Sequence, residues 1–188
     1  MRHDKFFDST IKLFTDYRGK MIKQGHKDYN GYLSDEVYLR LRQLSFICEK
    51  ISYYDQVVKN PEITLSTSTT EETVELEELF DEGIVYAEAF YFFAWRIILI
   101  ANHCTNPLPG LKGLKKKAKG VRTVRNCLIV HPEKENILLI CFSWGSSGPM
   151  LKTVRRPGDT FEITDRGFWI NAQEFKDSIE ELLQKAIQ

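Results

Sequence analysis

Arg125, Asn126 and His131 stand close together in the run VRNCLIVH (124–131), and Pro132 follows the histidine. An arginine stays charged at any usable pH and offers a planar fork of donors that matches phosphate oxygens. A histidine titrates near neutrality and can take or give a proton. These are the groups that RNA cleavage without a metal requires. The 2′-hydroxyl attacks the adjacent phosphate, a base takes its proton, an acid protonates the leaving 5′-oxygen, and a cation meets the added negative charge. Asn126 could hydrogen-bond the phosphate or orient Arg125. One His131 per chain is a single proton-transfer group, whereas a symmetric dimer with facing motif helices supplies two.

The geometry sets a condition on this chemistry. Six positions of an ideal helix turn through about 240°, so Arg125 and His131 do not share a face. They converge if the helix end unwinds at His131, which Pro132 favours, or if Arg125 reaches across to a partner chain. The plain alternative is a polar helix terminus, where a cationic histidine is favoured by the helix dipole. Arg96 and His103 repeat an Arg–His pair on an apolar segment. A structural role is expected for Arg96, paired with an acid such as Glu88 or turned toward the site.

Charge is uneven along a chain whose formal net charge is zero. Residues 112–125 carry seven bases and no acid, and residues 71–82 carry seven acids and no base. Such blocks are commonly solvated faces. Lying just before the motif, Lys112, Lys115, Lys116, Lys117, Lys119 and Arg122 are also candidates to guide RNA by its phosphates. No phosphate-binding glycine loop, dinucleotide fingerprint, serine elbow or metal-ligand cluster is visible, so no cofactor or metal is expected. Cys48, Cys104, Cys127 and Cys141 form no Cys-x-x-Cys pair. They read as free thiols in a reducing compartment, which points to the cytoplasm.

The elements that must hold the motif read as helices. Phe6, Phe7, Ile11, Phe14, Tyr17 and Met21 recur at helical spacing over 4–24. Ser34 is expected to N-cap a second helix running to about Val58. A third spans about 71–103. Its stretch 83–101 is apolar enough to raise a membrane span. Glu88 and Arg96 within it argue instead for the buried helix of a soluble protein, with no membrane partner. The segment 111–119 is a loop or a short helix. A fourth helix is expected over 120–131, ending at His131. NILLICFSW, LKTVRR and TFEITD look like short strands, with FWIN a candidate fourth, and Asn171 is expected to cap a last helix. The chain therefore reads as one mainly α domain over 1–188. It is a bundle of four to five helices, with a small strand insert at about 137–170 before the last helix.

The Arg-Asn-x4-His run resembles the signature of the HEPN superfamily (higher eukaryotes and prokaryotes nucleotide-binding domain). That signature is an arginine, commonly followed by a polar residue, and then a histidine after four to six intervening residues. Its place late in a helical bundle also matches, over about residues 1–131 and the final helix, while the strand insert lies outside the family's minimal core. The resemblance implies a metal-independent endoribonuclease with Arg125, Asn126 and His131 in a site formed at a homodimer interface. It also implies RNA as substrate and a setting in toxin–antitoxin or defence systems, where some members pair with a nucleotidyltransferase antitoxin. The family contains inactive members, so a dimer that binds RNA or a protein partner without cleaving is the alternative.

Overall fold

The computed structural model describes residues 5–25, 31–58, 70–103, 108–125, 136–145, 148–157, 162–163 and 168–188. The described chain is mainly helical, with four long helices and two short ones. The long ones are α1 (Asp8–Lys23), α2 (Gly31–Val58), α3 (Thr70–His103) and α6 (Phe168–Ile187). Two short ones, α4 (Leu114–Lys117) and α5 (Lys119–Arg125), follow a 3₁₀ turn at Pro109–Leu111.

Each long helix buries one row of side chains. On α1 the row is Thr10, Phe14, Tyr17 and Met21, and on α6 it includes Phe168, Ala172, Phe175, Ile179 and Leu183. Both follow the spacing that keeps residues on one helical face. The rows meet in an aromatic cluster. Phe90 of α3 lies 4.9 Å from Phe168, 6.3 Å from Phe175 and 6.4 Å from Phe7, ring centre to ring centre. Full burial of each such ring stabilises the fold by roughly 1.5–3 kcal/mol, and the edge-on geometry of Phe90 with Phe168 and Phe175 adds to it.

Ion pairs and capping contacts fix the directions. Lys5 pairs with Glu49, and Arg18 with Asp35, so α1 and α2 run antiparallel. Glu36 faces Arg96, and Tyr54 donates to Glu82, so α2 and α3 are also antiparallel. Phe6 packs at a tilt against Trp169, while Lys20 Nζ donates to the carbonyls of Ala186 and Ile187. The helices α1 and α6 are therefore parallel, and α3 shares their direction. A chain leaving α3 must travel back before α6 can start, and the segment 109–125 makes this return. Gly110 N–H donates to Tyr17 OH near the end of α6, Lys117 pairs with Glu181, and Gly120 reaches Glu174 near the start of α6. The return turns at Gly113, whose φ of +96° is the left-handed conformation that glycine adopts without strain.

Between α5 and α6 the backbone forms an antiparallel sheet of order β1-β2-β3. Here β1 is Asn136–Gly145, β2 is Gly148–Pro157 and β3 is Glu162–Ile163. Asn136 is in register with Pro157, and Val154 with Ile163.

Several expectations need correcting. The described residues form six helices, not four or five, because Leu111, Leu114, Ala118, Val121 and Val124 are buried and draw the basic segment onto the bundle. Ser34 is no cap: α2 begins at Gly31, and Ser34 is fully buried in its first turns. FWIN is no strand and Asn171 no cap, since both fall inside α6, where Phe168 docks on Phe90 and Tyr91. The α3 stretch Asp81–Asn102 is long and apolar enough to cross a membrane by length and composition, and half of its span is buried within the bundle.

Candidate functional site

The short helix α5 carries the start of the motif, and it is held in place by α3 and α6. Gly120, Val121 and Val124 face inward. At its first turn, the N–H groups of Lys119 and Gly120 donate to Glu174 Oε1 at 3.0 and 3.3 Å. A carboxylate from a distant part of the chain thus satisfies donors that a helix start leaves open. Asn171, fully buried on α6, donates from Nδ2 to Tyr91 OH at 2.9 Å. Its Oδ1 sits where a Cβ on residue 120 would have to go, and Asn171 Cγ would lie only 3.0 Å from that Cβ. Residue 120 is glycine because α5 and α6 approach this closely.

This docking brings Arg125, in the last described turn, over Trp95 of α3. The guanidinium carbon lies 4.7 Å from the ring centroid, within the range of cation–π attraction. Arg125 is half-buried, and desolvation lowers its pKa from the ordinary value. An arginine so placed still carries its charge at neutral pH. Trp95 is buried beneath it, and its Nε1 is one of the buried side-chain atoms without a hydrogen-bond partner among the described residues. Asn126 and His131 lie outside the described residues, as does the helix end expected at His131.

The basic segment divides into exposed and engaged side chains. Lys116, Lys119 and Arg122 are exposed and Lys115 is half-buried, along the outer side of α4 and α5. Lys117 is engaged, its Nζ 2.6 Å from Glu181 Oε2, while Lys185 holds the other oxygen at 2.6 Å. Leu114 and Ala118 are buried beneath these bases, so the segment is a docked basic ridge and not a free loop.

The supporting candidates do not gather at Arg125. Arg96 is largely exposed, and its Nε lies 3.6 Å from Glu36 Oε1, which Arg40 also binds at 2.8 Å. The expected partner Glu88 is exposed instead. Two helical turns separate it from Arg96, whereas antiparallel packing brings Glu36 directly across. His103 ends α3, and its side chain is outside the described set. Among the described residues no group of three or more His, Cys, Asp or Glu could hold a metal ion. Cys48 is a buried free thiol, its pKa pushed up by burial.

Sequence reasoning missed three parts of this site: Trp95 as the platform under Arg125, Glu174 as the cap, and Asn171 as the close neighbour of Gly120. Only Glu174 carried a signal, as an acid on the inner side of an amphipathic helix. No protein-family model, curated protein or solved structure matches the chain.

Proposed function

We propose that the chain is a metal-independent endoribonuclease of HEPN-like organisation, with the strands β1–β3 between α5 and α6 as an insert in the bundle. Arg125 meets the phosphate charge, His131 transfers protons and Asn126 assists. The observation that supports this best is the seating of Arg125. A bulky cation is held against Trp95 on a helix whose own outer face continues as a ridge of lysines. A preplaced guanidinium loses little freedom when it meets a phosphate. In this proposal two copies face each other through their motif helices, so that each cleft holds two His131 and two Arg125 side chains. A cytoplasmic setting in toxin–antitoxin or defence systems goes with it.

The test uses purified wild type beside His131→Ala on mixed single-stranded RNA with chelator present. Wild type should leave 2′,3′-cyclic phosphate ends and spare DNA, and the variant should lose activity. Equal cleavage by both, or none by either, would overturn the catalytic reading.

One observation favours the second reading, a HEPN-like dimer that binds RNA or a protein partner, such as a nucleotidyltransferase antitoxin, without cleaving. Arg125 is drawn onto a ring and partly desolvated, as a structural cation would be. In that case RNA binding falls steeply with salt and no product forms.

A further inference from the structure

The outer side of α2 carries a second apolar row. Tyr32, Leu39, Phe46 and Tyr53 stand seven residues apart and are 79%, 47%, 49% and 56% exposed. They lie opposite the buried row Val37, Leu41, Leu44, Cys48 and Ile51. Scattered surface hydrophobics need no explanation, but half of the large exposed ones among the described residues fall on this single line. A seven-residue repeat is the one that keeps two helices in contact along their length, since it drifts only ~20° per heptad.

We infer that this face takes the same face of a second copy of the chain, antiparallel about a two-fold axis between Arg42 and Glu49. The flanking row selects both the partner and the direction. Asp35, Arg42, Glu49 and Gln56 are all exposed, each three residues past a member of the apolar row. An antiparallel pair centred between Arg42 and Glu49 sets each Arg42 against the other copy's Glu49, twice over, and each Asp35 against a Gln56. A parallel pair would stack Arg42 on Arg42 and Glu49 on Glu49. Self-complementarity of this kind is what an isologous contact requires.

Shape agrees with charge. In this register Leu39 of one copy falls opposite Ser52 of the other. There the surface opens into a groove of about 980 Å³, lined by Phe6, Phe46, Ser52, Tyr53 and Trp169. Glu49 holds Lys5 at 2.6 Å on the groove's rim, and a carboxylate can accept from both cations. The seam is carried by α2, whereas Arg125 is carried by α5. The neighbours of α2 are α1, α3 and, less extensively, the strand β2, whereas α5 packs chiefly on α3 and α6. It therefore neither needs nor supplies the shared site proposed above.

The experiment is light scattering and sedimentation of the full chain at micromolar concentration. Phe46→Glu should halve the wild-type mass and leave the helical signal unchanged, because Phe46 is half exposed. Arg42→Glu and Glu49→Arg should each weaken association by about tenfold or more, and the double swap should restore it, since the swapped charges meet again across the two-fold axis. A wild-type mass that Phe46→Glu does not change overturns the seam, as does a double swap that rescues nothing. The charge pair decides the matter even if Phe46→Glu fails to fold.

Discussion

The guanidinium of Arg125 lies 4.7 Å from the centre of the Trp95 ring, joining the motif helix to the most apolar helix of the bundle. The contact should be measurable as a coupling energy. In a double-mutant cycle of Arg125→Ala and Trp95→Leu, followed by urea unfolding, the two changes should be non-additive by about 0.5–2 kcal/mol. Additive effects would mean that the ring and the cation are merely neighbours.

Position 120 tolerates nothing larger than glycine while Asn171 stands against it. Gly120→Ala should therefore cost about 1–3 kcal/mol, as overpacking in a tight contact does. Asn171→Ala alone gives up the bond to Tyr91 OH, at roughly 1 kcal/mol. The double variant should be more stable than the sum of the two losses, because the second change makes room for the first. Chemical denaturation of all three variants tests this.

Losing one acid–base group should lower the rate of RNA cleavage by roughly 10²–10⁴. His131→Ala should show that loss with its melting temperature nearly unchanged. Arg125→Ala should also lose activity, but with some loss of stability from the contact with Trp95. A matched pair of kinetic and thermal measurements separates the two.

The ridge lysines should not contribute equally to RNA binding. Lys115→Ala and Lys116→Ala should each reduce the slope of log affinity against log salt by about one. Lys117→Ala should change it less, because its ammonium is already taken by Glu181. Equal slopes for all three variants would contradict this division.

Hydrogen bonds from Lys117 and then Lys185 hold the Glu181 carboxyl at about 2, against an ordinary 4.5. Between those two values the unfolded chain binds more protons than the folded one, so stability rises with pH there. The contribution is complete above the ordinary value and is lost as pH falls through the folded one. All three side chains are on the surface, so salt should weaken the effect. Glu181→Gln should flatten the stability profile in that acidic window, and a profile identical to wild type would refute the assignment.

The helical character of the chain was legible in its sequence. The rows on α1, α2 and α3 are local patterns, and a 3.6-residue period declares which side will be buried without saying against what. The choice of Arg125 as a motif residue was also local. Boundaries were less legible. Ser34 and Asn171 have the side chains of caps, yet both are buried inside helices, because packing against neighbours outweighs a cap worth about 1 kcal/mol.

What only the tertiary structure decided is how the motif helix is held. With α3 and α6 parallel, the chain between them must return, and that return presses the lysine-rich segment onto the bundle. It brings Glu174 to the start of α5, Asn171 against Gly120, and Trp95 beneath Arg125. These partners stand thirty to fifty-five residues from the groups they meet. A sequence window records the period of a helix but not the direction of its neighbours, and it is direction that brings these side chains together.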